Sequence, residues 1–464
     1  MKGRVSASPW PLWIGELHSA ILLNGKGHPK MTQSEDVMRN KYIDYISIRG
    51  FLGQNNIEVR FDQSINFIIG LNGTGKTTLI NLIRSALNCD TRALRGAEFE
   101  EISIFFIPVL GKNRPNLRIL KRPTSTTMRW AIEYQYRNTS KADPIIVIST
   151  TDTTRSALNT WTIFTLGHDE EEPEKNAITE MMPNAIWLPL HRGLLSQKSS
   201  IGETIKNPID QKISQIIIET TKYLSALDTI YSKKLEEFQQ NYFLSMLNAT
   251  VEKIENAEQY DLDKEQVGLE QIFREFFKDN TIYRTSIKNH FNRAKKAIST
   301  RRNNKPLLYN DFIAISDTIR LHKLVDTWNE LQKDKEETFG PKNKFSEVIN
   351  GLLVNKKFRF DERNQPLFTA NNKKVDITDL SSGEKQLFIM LGSSLVQENA
   401  PFIYLADEPE LSLHIDWQRK LVANLKHLNP YAQIIFATHS PDIVAGNQRN
   451  VIRMEHILEE GKSS

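Results

Sequence analysis

The chain has 464 residues, of which 39% are hydrophobic and 25% charged, a composition typical of a soluble protein with several subdomains. Its 60 Lys and Arg nearly balance its 56 Asp and Glu, so the net charge of +4 does not by itself indicate a polyanionic partner. The sequence has no run of 18 apolar residues that would predict a membrane span. Cys89, the only cysteine, excludes an intrachain disulfide and favours a reducing, cytoplasmic setting.

The first half of the chain predicts a β-rich lobe that follows a poorly ordered extension, residues 1–40. The segments "YIDYISIRGF" and "NIEVRF" predict a strand hairpin, and "INFIIG" predicts a buried strand that ends at Gly70. Apolar residues at helical spacing predict a helix from about Lys76 to Leu87. Five segments of alternating character predict antiparallel strands, and "AIWLPLHR" predicts one more strand. We therefore expect one lobe over residues 41–200.

Residues 201–345 are rich in charge and predict a helical insertion. Residues 252–279 hold nine acids and four bases, whereas residues 284–305 hold eight bases and no acid. The basic segment fits a solvated helix face, a mate for the acidic segment or a contact with nucleic acid. A seam with spacings of 4, 3, 4, 3 and 4 residues fits either a local bundle or a partly coiled-coil insertion; it comprises Ile213, Ile217, Thr220, Leu224, Leu227 and Tyr231. Strands and helices alternate again over residues 346–464.

The stretch "GLNGTGKTT" fits the pattern G-x-x-x-x-G-K-[ST] and lies between a predicted strand and a predicted helix. Its glycines allow the backbone to approach phosphate oxygens, which N–H groups and the positive end of the helix then face. Lys76 can reach the β- and γ-phosphates, and the Thr77 hydroxyl can bind Mg²⁺. The predicted nucleotide-binding residues of this Walker A loop are Gly70, Asn72, Gly73, Gly75, Lys76, Thr77 and Thr78.

The stretch "FIYLADEPELSLH" is an apolar strand that ends in paired acids. In P-loop proteins an aspartate in the place of Asp407 holds the magnesium ion, directly or through water. Glu408 would face the opposite side of a regular strand. If the chain turns at this point, helped by Pro409, both acids approach one site, and Glu408 can then polarise the attacking water.

Two further motifs follow the same logic. The stretch "DLSSGEKQ" opens a predicted helix, which Ser381 or Ser382 can cap while Glu384 favours its positive end. The same small residues, with Gly383, also fit a second phosphate-binding nest. In "IIFATHSP", polar residues break a buried strand at His439, as in a sensor of the γ-phosphate.

In chain order these motifs resemble the ABC-type ATPases, in particular the soluble SMC, RecF and OLD branch (AAA_15-like or AAA_21-like). The stretch "DEPELSLH" separates the chain from transporters, which generally have threonine after the proline. The resemblance covers residues 41–200 and 346–445. It implies an α/β fold: a P-loop ABC-type ATPase head, with a mixed sheet, flanking helices and an antiparallel β subdomain, and a helical, partly coiled-coil insertion. The glutamine of the family's Q-loop is absent from "LPLHR", where His191 and Arg192 occupy its place.

The resemblance also implies roles for single residues. ATP and Mg²⁺ would be the cofactors, with Thr77 and Asp407 at the metal. Glu408 would be the catalytic carboxylate, His439 the switch histidine and Lys76 a phosphate ligand. Two heads would sandwich ATP in a homodimer or higher oligomer. The γ-phosphate of the ATP bound to one subunit would then contact the signature residues of the other, which are Ser381, Ser382, Gly383 and Glu384. The loop from Leu411 to His414 would connect the two subunits, and Glu410 would face the second subunit with it.

What the ATPase controls is left open between two classes. Twenty-five residues follow His439, too few for the Toprim nuclease domain of OLD nucleases, so we expect any nuclease to act in trans. The chain resembles the standalone anti-phage ATPases AriA of the PARIS system, which is slightly preferred, and PtuA of the Septu system. Their partners are a Toprim and an HNH nuclease, and a phage protein is a candidate trigger. The alternative is a DNA-repair or SMC/RecF-like ATPase that binds DNA through residues 284–305.

Overall fold

Two compact units make up the chain in this computed structural model. The first combines the residues up to Thr221 with those from Lys344 onward, and the second is Lys222–Asn343. The structure describes residues 22–23, 29–30, 41–109, 112–123, 130–139, 141–149, 163–166, 181–188, 208–247, 260–277, 281–397 and 400–463. The acidic run 169–174, His191, Arg192 and most of the predicted extension 1–40 lie outside these ranges.

A five-stranded parallel sheet lies at the centre of the first unit. Its strands are arranged in the order β11-β15-β16-β5-β17. Every neighbouring pair is parallel, so all five carboxyl ends lie at one edge. The middle strands are fully apolar or nearly so, as expected for a sheet that is covered on both faces. The strands are β5 (Ile65–Ile69), β11 (Ala185–Leu188), β15 (Phe402–Asp407), β16 (Ala432–Ala437) and β17 (Val451–Arg453).

A seven-stranded sheet forms the predicted β subdomain. Its order is β10-β9-β8-β7-β6-β3-β4, and every pair except β9–β10 is antiparallel. The prediction of antiparallel strands is wrong for that pair, because the 13 residues that connect them allow a crossover to a parallel neighbour. The strands are β3 (Lys41–Phe51), β4 (Asn55–Arg60), β6 (Glu101–Pro108), β7 (Asn116–Pro123), β8 (Trp130–Arg137), β9 (Ile145–Ser149) and β10 (Ile163–Leu166).

Helices and small sheets complete the first unit. A three-stranded antiparallel sheet consists of β12 (Lys357–Phe360), β13 (Pro366–Ala370) and β14 (Lys373–Val375), and β1 (Leu22–Leu23) pairs with β2 (Pro29–Lys30). Short 3₁₀ turns span Ile377–Asp379 and Gln448–Asn450. The helices that belong entirely to this unit are α1 (Lys76–Leu87), α2 (Thr91–Gly96), α7 (Ser382–Val396), α8 (Ile415–Leu428), α9 (Pro441–Val444) and α10 (Met454–Ser463).

The buried amide of Gln433 joins the two large sheets. Its Nε2 donates to the carbonyl oxygens of Ile43 and Asp62 at 2.8 and 2.9 Å, and its Oε1 accepts from the Ile43 N–H at 2.8 Å. One continuous apolar core contains side chains from both sheets, among them Ile46 and Ile435. The α/β fold class predicted from the sequence, with flanking helices and an antiparallel β subdomain, is confirmed, and the central sheet, predicted to be mixed, is parallel in its five described strands.

The second unit is helical, as predicted. It contains α4 (Leu262–Phe276) and α5 (Thr281–Arg302) together with parts of two long helices, α3 (Pro208–Leu247) and α6 (Tyr309–Leu352). Within this unit α3 and α6 run antiparallel: Tyr231 contacts Phe339, whereas Phe238, further along α3, contacts the earlier Trp328. This packing fits the bundle interpretation of the seam, and a projecting coiled coil stays a prediction. No helix among the described residues has the length and apolar character needed to cross a membrane.

A buried lysine gives the fold a pH dependence. Lys41 is 1% exposed, and its ammonium group lies against the rings of Phe106 and Tyr136 and donates to the Tyr136 hydroxyl at 2.7 Å. Burial lowers the pKa of Lys41 from 10.5 to about 7. The unfolded chain therefore binds more protons than the native chain between these two values. In that range the contribution of Lys41 makes the free energy of unfolding rise with pH.

Replacing Lys41 by methionine should remove this contribution. We expect Lys41→Met to be more stable than the wild type at pH 6 and to lose most of that advantage as the pH rises from about 7 to 10.5. In this range the buried lysine is already neutral, and the free energy needed to remove the proton from the unfolded lysine falls as the pH rises. Urea unfolding across this range measures the difference. Lys420→Met, at an exposed helix position, is the matched control. A stability difference that does not change with pH would contradict the prediction.

Candidate nucleotide-binding and hydrolysis site

Three predicted motifs leave the parallel sheet at the same edge. In the middle of the sheet β16 lies between β5 and β15, and Ala437 is level with Ile68 on one side and Asp407 on the other. The ladder continues past the strand ends, where the Thr438 N–H donates to Ile68 at 3.1 Å and the Glu408 N–H donates to Ala437 at 2.7 Å. The Walker A loop, the paired acids and the switch histidine therefore emerge side by side, where α/β sheets generally bind ligands.

The Walker A loop has the backbone conformation that its glycines predict. Gly73 and Gly75 have φ angles of 85° and 90°, which disfavour other residues. A Cβ atom on Gly75 would also lie 2.8 Å from the ring of Phe51. Lys76 is buried, and its Nζ donates to the carbonyl oxygens of Gly70 and Leu71 at 2.9 and 3.1 Å. The loop thus curls around the lysine ammonium group.

The donor groups of this loop fit a nucleotide phosphate. No side chain caps the N-terminus of α1, and its first turn contains no acid, so its N–H groups and positive end face the loop. The Thr77 side chain is exposed beside Lys76 and offers a hydroxyl to a metal ion, and Asn72 and Thr78 complete the loop surface. These residues can bind phosphate and contribute a ligand to Mg²⁺.

Glu455 contacts the Walker A loop, a contact that the sequence motifs did not predict. Its Oε1 accepts from the N–H of Leu71 at 2.6 Å, and this hydrogen bond lowers the pKa of Glu455, with a smaller contribution from Lys76. Glu455 follows β17, the neighbour of β5, so its position at the same edge depends on strand order. An acid two residues after the last short strand, which ends at Arg453, was the only signal for it in the sequence.

The paired acids occupy a sharp turn. Asp407 is the last residue of β15 and is 3% exposed. Glu408 has a φ of 49°, in the left-handed region that non-glycine residues rarely adopt. Such conformations concentrate at functional sites, where the surrounding structure holds them. The chain therefore turns where the sequence predicted, and the two carboxylates leave the strict alternation of a strand.

The signature segment forms a helix cap. The N–H of Glu384 donates to Ser381 Oγ at 3.2 Å, and the N–H of Ser381 donates to Glu384 Oε2 at 2.8 Å, which is a complete capping box. Burial opposes ionisation of Glu384, but hydrogen bonds from Lys356 and Ser381 outweigh it and lower its pKa. Ser381 and Ser382 are exposed. The capping interpretation is confirmed, and a contact with a second subunit's nucleotide stays a prediction.

Gly383 packs against its own chain. A Cβ atom on Gly383 would lie 2.4 Å from the carbonyl oxygen of Ser412, closer than atoms can approach. Ser412 itself has a φ of 66°. Gln386, one turn further along α7, donates to the carbonyl oxygen of Pro409 at 2.9 Å. The start of the signature helix is thus fitted tightly to the segment that follows the paired acids.

The switch segment is held by an acid whose role the sequence did not predict. The side chain of His439 is exposed, but its N–H donates to Glu410 Oε1 at 2.8 Å. Thr438 Oγ1 and the Ser440 N–H donate to the same oxygen at 2.7 and 3.1 Å. The Glu410 side chain therefore turns into its own subunit, contrary to the expectation that it faces a second one. His414, at the end of the loop that follows Glu410, is the N-cap residue of α8.

Comparison with known proteins agrees with this geometry. The family model described as "AAA ATPase domain" (AAA_15) matches residues 42–444. The Septu protein PtuA of Bacillus thuringiensis is 32% identical over 134 residues, 25% of this chain and 32% of PtuA. The probable ATPase of retron Vc95 from Vibrio cholerae is 37% identical over 82 residues, 15% of this chain and 16% of that protein.

A DNA-repair ATPase and a solved structure are also similar. The DNA double-strand break repair Rad50 ATPase of Thermoplasma volcanium is 37% identical over 71 residues, 14% of this chain and 8% of Rad50. The chain thus spans at most 32% of the length of these three relatives. The Smc head domain of Pyrococcus furiosus aligns with 89% of this chain and 93% of its own, at 16% identity and a TM-score of 0.41, too low to support an argument. The family match over most of the sequence, with the Walker A loop and paired acids at one sheet edge, shows that this chain belongs to the AAA_15 family of AAA ATPase domains.

Proposed function

We propose that this ATPase is the sensor or regulatory subunit of a bacterial anti-phage defence system and controls a separate effector nuclease or toxin. The PtuA match, which is the longest of the three alignments above, supports this proposal most directly, and the retron ATPase points to the same class. The PtuA match supports a Septu-like partnership with an HNH nuclease. The PARIS-like partnership with a Toprim nuclease, preferred from the sequence, stays a prediction.

The proposed division of labour follows the positions of the side chains. Lys76, buried at the mouth of the loop, would bind the phosphates, and Thr77 and Asp407 would hold the metal ion. Glu408, held in a left-handed turn beside Asp407, would orient and polarise the attacking water. His439, exposed at the same edge, would sense the γ-phosphate. Bound ATP with Mg²⁺ would supply the phosphoryl group on which these residues act.

We further propose that the site is completed by a second copy of the chain. The exposed Ser381 and Ser382 lie at the positive end of α7, which suits a phosphate brought by another subunit. Leu411 and His414 are exposed in the adjoining loop and would connect the two subunits. ATP would then shift the population from open heads toward the closed dimer, and a bound effector would respond to that shift.

The role of Glu408 is tested by replacing it with glutamine. We expect Glu408→Gln to bind ATP normally, to hydrolyse it at least about 100-fold more slowly and to accumulate the closed dimer, because the group that polarises water is lost. Single-turnover hydrolysis and size-exclusion chromatography with ATP measure both effects. Glu362→Gln, at an exposed position of the same unit, should behave as wild type. Normal hydrolysis by Glu408→Gln would show that the assignment is wrong.

The defence role is tested in cells and on the purified complex. We expect phage protection by the chain and its neighbouring gene's product to disappear in Lys76→Ala, since nucleotide binding would be lost. Native mass spectrometry of the complex would identify the effector and the stoichiometry. Protection that persists in Lys76→Ala, or a chain that never copurifies with a second protein, would contradict the regulatory role.

A second candidate function is direct DNA binding, which one surface favours. Lys288, Arg293 and Lys296 of α5 are exposed, and the segment 284–305 contains no acid. Part of this positive charge is neutralised within the unit, where Lys295 forms an ion pair with Asp263 of the acidic segment at 2.5 Å. The pairing supports the interpretation of the basic segment as a mate for the acidic one, yet the exposed bases remain suited to phosphates.

Salt dependence distinguishes the two functions. If α5 binds DNA, replacing Lys288, Arg293 and Lys296 by alanine should weaken binding for all sequences alike. It should also reduce the slope of log K against log salt by roughly 3, about one unit per lost phosphate contact. Fluorescence anisotropy with duplex DNA measures this slope. Lys373→Ala/Lys374→Ala, at exposed positions of β14, is the control. No DNA binding by the wild type would exclude this function.

A further inference from the structure

Glu410 closes the end of a strand ladder. β16 ends at Ala437, and its pairing with β5 ends with the hydrogen bond from the Thr438 N–H to the Ile68 carbonyl oxygen. The single oxygen Oε1 of Glu410 accepts from the Thr438 hydroxyl and from the N–H groups of His439 and Ser440, at 2.7, 2.8 and 3.1 Å. This carboxylate therefore fixes the backbone from which the His439 side chain projects.

A second bridge ties the same two segments together. Ser440 Oγ donates to Gln418 Oε1 at 2.6 Å, and Gln418 Nε2 donates to the carbonyl oxygens of Leu413 and Glu410 at 3.0 and 3.4 Å. The segment from Glu410 to Leu413 and the switch segment are thus joined at both ends by side-chain hydrogen bonds. Displacement of either segment would break bonds to the other, so the two have matched conformations.

The fit of Gly383 extends this connection to the signature helix. The backbone of Ser412 lies within the same tied segment and directly against Gly383, where a Cβ atom would find no space. A shift at the start of α7 would therefore press on Ser412, and through Glu410 on the backbone of His439. These are contacts within one subunit.

From these contacts we infer that Glu410 is a positioning residue for hydrolysis. It holds the His439 backbone so that the orientation of the imidazole follows the conformation of the segment from Glu410 to Leu413. This inference rests on the proposed role of His439. It assigns Glu410 no contact with the nucleotide or the metal ion. The rate of hydrolysis thereby becomes sensitive to any movement of that segment, whereas the affinity of the Walker A loop for nucleotide does not depend on it.

A double-mutant cycle tests whether Glu410 acts through His439. We expect Glu410→Ala to lower kcat about 10- to 100-fold and to change the KM for ATP less than about 3-fold. In the His439→Ala background, Glu410→Ala should change kcat by less than about 2-fold, because the side chain that it positions is already absent. Full multiplication of the two effects would overturn the inference. A His439→Ala variant with wild-type kcat would instead refute the proposed role of His439.

Conservative variants separate positioning from charge and from folding. Glu410→Gln keeps a carbonyl oxygen at the Oε1 position and should retain most of the activity. Glu410→Asp keeps the charge but withdraws the oxygen by one methylene group, and should lose activity as Glu410→Ala does. Equal losses in Glu410→Gln and Glu410→Ala would indicate a direct role for the charge and overturn the inference. Thermal unfolding of each variant, with Glu362→Ala as control, checks that kcat rather than stability explains the result.

Discussion

The parallel register of β5, β16 and β15 is the constraint on which the site depends. Because these strands are adjacent and end level with one another, the Walker A loop, the paired acids and the switch segment leave the sheet within one ladder repeat. The Walker A loop lies more than 300 residues before the two other segments in the sequence. Backbone hydrogen bonds past the strand ends, from Thr438 and Glu408, extend that alignment into the loops themselves.

Three neighbouring acids in one segment acquire different surroundings from this arrangement. Asp407 completes a buried strand, Glu408 lies in a left-handed turn, and Glu410 faces the switch segment of its own subunit. A regular strand would have placed Asp407 and Glu408 on opposite faces. The turn at Glu408 instead gives these carboxylates different directions, which suits their proposed roles in holding a metal ion, polarising water and positioning the switch backbone. One short segment can therefore serve binding, chemistry and positioning.

The two compact units of the chain have different contents, which is compatible with the proposed regulatory role. The head contains the parallel sheet and every predicted catalytic residue, whereas the helical unit displays the segregated acidic and basic segments. The ion pair between Lys295 and Asp263 shows that the two segments partly neutralise each other's charge. The surface of this helical unit includes exposed apolar side chains such as Phe243, Phe276 and Phe277, which suit the proposed contact with a protein effector, and the exposed bases of α5 keep DNA as the competing candidate.

Most of the helices and strands and the ATPase chemistry could be predicted from local patterns in the sequence. The strand "INFIIG", the helix from Lys76 to Leu87 and the cap at Ser381 could be predicted, since periodicity, glycine spacing and capping residues act within one or two turns. Three features could be seen only in the folded chain: β9 and β10 run parallel, Glu455 accepts a hydrogen bond from Leu71, and Glu410 holds the switch segment. Strand order brings these partners together, and strand order depends on long-range packing of two sheets around one core, which no local pattern encodes.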